Sequence, residues 1–199
     1  YTNTTNGVYI YGAQVEAGSY ATSYIPTYGT SVTRNADKVD GQENASLFND
    51  SEGVLYVEFS ALSDTRDNEF RFLISDGSNA QRIQIGLQTN NNLYANSIVG
   101  GGSQAVINHT LPNPSSNHKI AFKYKANDFA LYVDGVIVGT DINGTTPTGL
   151  DIFDFYRTAN NNNLVEANVR KTLYFPTALS NTDLEILTGT YYESYSAMA

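Results

Sequence analysis

Apolar and polar residues alternate along most of the chain. In residues 53–61 (GVLYVEFSA), for example, Leu55, Val57 and Phe59 fall on one side of an extended backbone. This period of two is typical of a strand with one buried and one wetter face. The same alternation predicts further strands at residues 70–75 (FRFLIS), 81–88 (QRIQIGLQ), 119–125 (KIAFKYK) and 128–134 (DFALYVD). Strands of this kind favour an all-β fold in which two antiparallel sheets stack face to face.

Turn-forming residues separate these runs. Asp134 and Gly135 lie between LYV and VIVG, a strong signal for a two-residue hairpin, and Asp76 with Gly77 opens a longer loop. Pro112 marks a connection that cannot be a central strand. Further loops are predicted at residues 90–92, 100–102 and 160–163.

One segment near the end departs from the alternation. Residues 180–187 (SNTDLEIL) begin with a serine that can cap a helix, and Asp183 follows three residues later. Gly189 is a natural stop. We expect a short helix here, at the edge of the sandwich, followed by a helical or frayed tail over residues 191–199.

The first part of the chain has a different character. Residues 8–16 (VYIYGAQVE) predict one strand, and the polar residues 27–44 that follow show little periodicity. A single strand cannot pair its own backbone N–H and C=O groups and is not stable alone. It either pairs with the sandwich that follows or closes a preceding domain, and we favour the second arrangement.

Composition excludes several classes of function. The chain has 199 residues, with 20 acidic and 11 basic side chains and a net charge of −9, which argues against binding to nucleic acid or an anionic membrane. It has no cysteine, so disulfides and thiolate metal sites are excluded. No apolar run approaches the roughly 18 residues of a membrane span. The chain does not begin with Met, and we expect a processed product or a piece of a longer protein.

Four segments together resemble concanavalin A-like domains of the laminin-G (LamG) type. They are GVLYVEF at residues 53–59, LISDGSNAQRIQI at 73–85, HKIAFKYKANDFALYVDGVIVGTD at 118–141 and KTLYFPTALSNTDLEILTG at 171–189. The LYVDG hairpin and the later LSxxDLExLT helix are the most diagnostic pair. The resemblance implies a two-sheet antiparallel jelly-roll sandwich with one short C-terminal helix.

The opening IYGAQVEAGSYATSYIPTYGTSVTRNADKV (residues 10–39) resembles a linker of bacteriophage tail or fibre proteins, especially those of phages with Bacteroidetes hosts. That resemblance implies a virion protein of several domains. The expected division is a terminal strand with linker over residues 1–31, a sandwich over 32–189, and a tail over 190–199 that leads to a further segment.

Catalytic chemistry is not evident in the sequence. Retaining glycosidases need two carboxylates about 5 Å apart, and the related hydrolases carry them on one strand as ExDxE or ExDxxE, a pattern that is absent here. Glu58 and Glu166 are single, while Asp151 and Asp154 are three apart and face opposite ways on a regular strand. His118 is expected to be a packing residue, and His109, the only other histidine, a surface loop residue. We therefore expect no enzyme activity, with a glycan hydrolase or lyase as a remaining hypothesis.

Calcium is the one cofactor that the sequence suggests. Oxygen ligands occur close together at Asp64, Asp67 and Asn68 (LSDTRDNEF). A second, weaker cluster contains Asp76, with Ser78 and Asn79. The alternative interpretation of both clusters is ordinary turn chemistry.

Carbohydrate binding would use aromatic and amide side chains on loops or a concave sheet. The candidates are Gln84, Tyr94, Asn96, Tyr156 and Arg157. Each of them has an alternative, purely structural interpretation. The absence of Trp removes the commonest stacking platform.

These observations predict a non-enzymatic, lectin-like module of a bacteriophage tail or fibre protein, on the virion surface and outside the cell. Its expected partners are host-surface glycans or neighbouring virion chains, in a homo-oligomer such as a trimer, where several weak sites act together. A purely structural, decorating role in the virion is part of the same hypothesis. The alternative is a carbohydrate-binding module of a secreted bacterial enzyme that degrades polysaccharides.

Overall fold

Alternating segments of the chain form the strands of the computed structural model. The structure describes residues 11–16, 23–33, 45–63, 69–155 and 167–189. These ranges contain ten strands and one helix: β1 (Glu52–Ala61), β2 (Phe70–Ser75), β3 (Arg82–Leu87), β4 (Asn92–Val99), β5 (Gly102–Thr110), β6 (His118–Lys125), β7 (Phe129–Val133), β8 (Val136–Asp141), β9 (Ile152–Asp154), β10 (Ala167–Phe175) and α1 (Asn181–Thr188).

The strands form two antiparallel sheets of five. The first sheet has the order β10-β1-β6-β7-β8 and the second has the order β5-β4-β3-β2-β9. Short hairpins link neighbours such as β3 with β4 and β7 with β8, whereas β1 and β10 pair although they are distant in sequence. The all-β, two-sheet jelly roll predicted from the sequence is confirmed.

The main core lies between the two sheets. Leu55, Val57 and Phe59 of β1 are fully buried there, as the alternation predicts. Phe59 meets Phe70 and Phe72 of the opposite sheet with ring centroids 5.5 and 5.4 Å apart. Aromatic pairs at this separation add to the stabilisation from burial itself.

The outer face of the first sheet is more buried than the alternation suggested. All five residues of β7 are buried, not every second one. The reason is that α1 packs on this face, where Leu184 joins a second apolar cluster with Tyr56, Ala121 and Tyr132. The helix therefore covers a sheet face over β6 and β7, and the prediction that it lies at the sandwich edge is wrong. The small side chain of Ala121 leaves room for it.

The capping and turn signals are confirmed. Ser180 accepts a hydrogen bond at 3.2 Å from the backbone N–H of Asp183, and the N–H of Gly189 closes the last turn. In the hairpin between β7 and β8, Asp134 and Gly135 have φ of +51° and +86°, as a primed turn requires. Within the described residues no helix is long and apolar enough to cross a membrane.

The chain divides into two compact units, residues 1–37 and 38–199. In the described part of the first unit, residues 11–16 do not form the strand predicted over residues 8–16. Gly12 has φ of +74°, which interrupts an extended backbone there. Gln14 instead accepts a hydrogen bond from the N–H of Ile25 at 2.8 Å. Residues 8–10, the loop at 160–163 and the tail at 191–199 lie outside the described residues.

Candidate functional site

Three of the residues proposed for carbohydrate binding come together on the second sheet. Gln84 on β3 lies directly opposite Asn96 on β4, and Tyr94 lies opposite Gly86. Their neighbours Ile83, Ile85, Leu93 and Ala95 point into the core, so Gln84, Tyr94 and Asn96 share the outer face. Tyr156 and Arg157, and the calcium candidates Asp64, Asp67 and Asn68, lie outside the described residues.

Tyr94 is buried on this face, with 5% of its surface exposed. Its ring lies across Gly86, where a Cβ atom would overlap it. Its hydroxyl donates a hydrogen bond to Glu69, and Arg71 donates to the same carboxylate oxygen at 2.7 Å. Burial raises the pKa of Tyr94 and Glu69 raises it further, so the hydroxyl stays protonated. Tyr94 is therefore not the open stacking platform expected of an exposed aromatic residue.

The amide side chains of Gln84 and Asn96 lie in the middle of the face. Gln84 is 2% exposed and accepts a hydrogen bond at 2.8 Å from Nε of Arg82, which fixes its oxygen. The side-chain oxygen Oδ1 of Asn96 is buried without a hydrogen-bond partner. An unpaired buried acceptor of this kind costs about 1–3 kcal/mol. Any donor that reaches it, such as a water molecule or a ligand hydroxyl, would therefore be stabilised there.

Two arginines complete the face, and neither was among the site residues predicted from the sequence. Arg71 on β2 and Arg82 on β3 occupy the outward positions of their strands. Arg82 also donates a hydrogen bond to the carbonyl of Asn79. Burial lowers the pKa of Arg82, and the positive charge of Arg71 lowers it further. Both residues could have been found from the sequence by asking which polar positions share a face with Gln84.

Toward β5 the face is open to solvent. Val106, opposite Asn96, is 43% exposed, and Asn108, opposite Tyr94, is also exposed. Asn92 donates a hydrogen bond at 3.0 Å to Asn108, which holds that amide in place. The β5 side of this face is therefore accessible to a ligand, whereas Gln84 and Oδ1 of Asn96 themselves are buried.

The carboxylates weighed as catalytic groups are spread over the fold. Glu58 lies on the first sheet and accepts hydrogen bonds from Tyr56 at 3.3 Å and Asn117 at 2.9 Å. Asp154 lies on β9 of the second sheet, opposite Leu73. Glu166 is outside the described residues. These positions do not bring Glu58 and Asp154 together.

The weaker calcium cluster has the geometry of a polar turn. Asp76 accepts hydrogen bonds from the N–H and the hydroxyl of Ser78, at 2.9 and 2.6 Å, which is ordinary Asx-turn chemistry. Across the described ranges no group of three or more His, Asp or Glu side chains is arranged to hold a metal ion.

Both histidines have structural positions. His118 is buried and contacts Asp134 at 2.7 Å through Nδ1, so the prediction of a packing residue is confirmed. His109 lies on β5, half-buried and opposite Leu93. The prediction of a surface loop for His109 is wrong because the VINH segment continues the strand up to Thr110.

A family model described as the concanavalin A-like lectin/glucanases superfamily matches residues 55–184, more than half of the chain. Comparison with curated protein sequences gives no match.

Solved structures with a similar fold have low sequence identity. A leech intramolecular trans-sialidase in complex with 2,7-anhydro-Neu5Ac matches with a TM-score of 0.53 and 14% identity, over 72% of this chain and 24% of that one. A SAP-like pentraxin from Limulus polyphemus has a TM-score of 0.51 and 9% identity, over 67% and 68% of the two chains. A structure of botulinum neurotoxin type C matches with a TM-score of 0.51 and 15% identity, over 69% of this chain and 35% of that one. At these identities the likeness shows the fold alone.

Proposed function

Because the chain belongs to the concanavalin A-like lectin/glucanase superfamily, we propose that it is a non-enzymatic, lectin-like module that binds a carbohydrate on the outer face of its second sheet. The observation that carries this proposal is the buried, unpaired Oδ1 of Asn96. It lies opposite Gln84, whose oxygen is held by Arg82. Amide side chains bind sugar hydroxyls, and the fixed orientation of Gln84 lowers the entropy that is lost on binding.

The fold is compatible with such a role. The botulinum neurotoxin type C structure belongs to a protein whose cell entry depends on interaction with two ganglioside molecules, and gangliosides are glycolipids. Fold likeness is only an analogy for function, so the support for binding comes from the residues of the face itself.

The biological setting that we propose is a bacteriophage tail or fibre protein on the virion surface, outside the cell. Its support is the resemblance of residues 10–39 to linkers of such proteins. The partner would be a glycan on the host surface, or neighbouring virion chains if the module is a structural decoration. One shallow site binds weakly, and several copies in a trimer or larger homo-oligomer would raise the overall avidity without new contacts.

A glycan array tests the proposal directly. The folded chain is applied with calcium and again with a chelator, on arrays that carry both bacterial surface glycans and storage or cell-wall polysaccharides. Binding to bacterial surface glycans is the expected result. Binding only to the polysaccharides would favour a module of a secreted polysaccharide-degrading enzyme. If the folded protein binds none of the glycans, the lectin proposal is overturned.

Matched variants connect any binding to the proposed face. Asn96→Leu removes the unpaired acceptor at similar side-chain volume and should abolish binding. Asn168→Leu makes the same change at an exposed position on β10 of the other sheet and should leave binding intact. If chelation abolishes binding, Asp64→Asn and Asp67→Asn become the variants that test the calcium hypothesis.

A further inference from the structure

Two arginines flank the central row of residues in the proposed site. The row contains Leu73, Gln84 and Asn96, which are neighbours across β2, β3 and β4. Arg71 lies two residue pairs beyond this row, opposite Gly86, and Arg82 lies two pairs beyond it in the other direction, opposite Ser75, so both point to the same face as Gln84. A ligand over the row would therefore have a guanidinium on either side, in a chain whose net charge is −9.

The two arginines differ in how their charge is balanced. Arg71 forms an ion pair with Glu69 at 2.7 Å. Arg82 donates hydrogen bonds to two neutral oxygens, those of Gln84 and Asn79, and forms no ion pair with any residue in the described ranges. Asp154, another carboxylate on this face, lies across β2 from Gln84 and has an interaction of its own. Among the described residues, Arg82 is thus a partly buried cation without a carboxylate partner.

We propose that the ligand of this face is an acidic sugar, whose carboxylate or sulfate group binds between the guanidinium groups of Arg82 and Arg71. The same sugar donates a hydroxyl or amide hydrogen to Oδ1 of Asn96. A guanidinium binds the oxygens of either anion through two parallel N–H groups. Such charge-assisted hydrogen bonds are stronger than hydrogen bonds between neutral groups. This inference rests on the proposed carbohydrate-binding function and specifies its ligand class.

Titration calorimetry with a matched set of sugars tests the inference. The probes are lactose, 3′-sialyllactose with a carboxylate, 3′-sulfolactose with a sulfate, and a hyaluronan hexasaccharide with uronic acids. We expect at least one acidic probe to bind at least tenfold more tightly than lactose and to weaken as salt is raised. The relative affinities of the carboxylate and sulfate probes then identify the anionic group.

Two matched variants locate the binding. Arg82→Gln keeps a hydrogen-bonding side chain without the charge, and should weaken acidic probes about 10- to 100-fold, as expected for lost charge-assisted hydrogen bonds. Arg170→Gln removes a cation from β10 of the other sheet and should change nothing. Arg82→Lys keeps the positive charge but loses the paired N–H donors of the guanidinium, and should retain part of the preference for acidic over neutral sugars. Equal unfolding midpoints in urea show that the variants are folded.

The possible results separate this inference from the proposed function. If neutral and acidic sugars bind equally, the ligand class is wrong and the lectin function stands. If Arg82→Gln weakens lactose and acidic probes by the same factor, Arg82 has only a structural role and the inference fails. If no glycan binds, on the array or in titration, both proposals are overturned.

Discussion

The contact between His118 and Asp134 makes the stability of the sandwich depend on pH. Nδ1 of His118 is 2.7 Å from Oδ2 of Asp134, and Nε2 is 3.2 Å from the carbonyl oxygen of Asn113. Both partners are acceptors, so both ring nitrogens must donate, and only the charged imidazolium can do this. The other carboxylate oxygen of Asp134 accepts from the N–H of Lys119 at 2.9 Å, which fixes the hairpin against β6.

The directions of the pKa shifts give the pH range. Burial alone would lower the pKa of His118, but the hydrogen bonds to Asp134 and the backbone outweigh it and raise that pKa above its ordinary value of 6.5. The stabilisation is therefore complete below about pH 6.5 and is lost as the pH rises through the folded-state pKa of His118. Burial would raise the pKa of Asp134, but His118 and Lys119 outweigh it and lower that pKa. The contribution of Asp134 is lost only as the pH falls through its folded-state value, below the ordinary 3.8.

The substitution that tests this reasoning is Asp134→Asn. Asparagine tolerates the positive φ of the turn and can donate to a neutral His118 while it accepts from Lys119. It replaces a charged hydrogen bond, of about 1.5–3 kcal/mol, with a neutral one of about 0.5–1.5 kcal/mol. The side chain of Asp134 is 44% exposed, and water screens the charge. We therefore expect a loss of about 1 kcal/mol in the free energy of unfolding at pH 5.5.

Urea unfolding followed by circular dichroism, at pH 5.5 and 8.5, measures the effect. The difference between wild type and Asp134→Asn should shrink at pH 8.5, because the wild type has by then lost the imidazolium. The chain has only one other histidine, His109, so His109→Gln should keep the wild-type pH dependence. A difference that is the same at both pH values would refute the charged pair.

Three further substitutions probe other contacts. Gly86→Ala places a methyl group where the ring of Tyr94 lies and should lower the free energy of unfolding by about 1–3 kcal/mol. When Tyr94 is first replaced by alanine, the same substitution should lower the unfolding free energy, measured in urea, by much less. Asp50→Ala removes a carboxylate that accepts two backbone N–H groups in the loop before β9, at 2.7 and 3.0 Å. It should lower the unfolding free energy by about 1.5–3 kcal/mol, and Asp50→Asn by less, since one oxygen remains. Ser180→Ala removes the cap of α1 and should lower the unfolding free energy by about 1 kcal/mol, whereas Ser103→Ala, at an exposed strand position, serves as the control with no measurable change.

The strands with strict alternation could be predicted because one face of each is in the core. The prediction over residues 70–75 coincides with β2, and that over 119–125 differs from β6 by one residue. Strand β4 was harder to predict because its sequence, NLYANSIV, has polar residues among the buried ones. Its Ser97 points inward and donates a hydrogen bond to the carbonyl of Thr145, a partner 48 residues away that no local pattern reveals.

The candidate site could be predicted only in part, for a similar reason. Gln84 and Asn96 were predicted from their residue types. The alternation of polar and apolar residues was sufficient to place Gln84 on the solvent-facing side of its strand. The register that brings Gln84 opposite Asn96, and the position of Arg82 beside them, depend on how β3 and β4 pair. Strand pairing is set by turn geometry and by the whole core, so these contacts required the structure.

The pairing of β1 with β10 has a mechanical consequence. The first residues of β1 lie beside the last residues of β10, with Val54 opposite Phe175. The chain therefore enters and leaves these two strands at the same end of the sheet. A pulling force applied there would separate the strands like a zipper, with the hydrogen bonds breaking one after another and not all at once. We expect this arrangement to separate at a lower force than two strands loaded in shear, in which all the hydrogen bonds bear the load together.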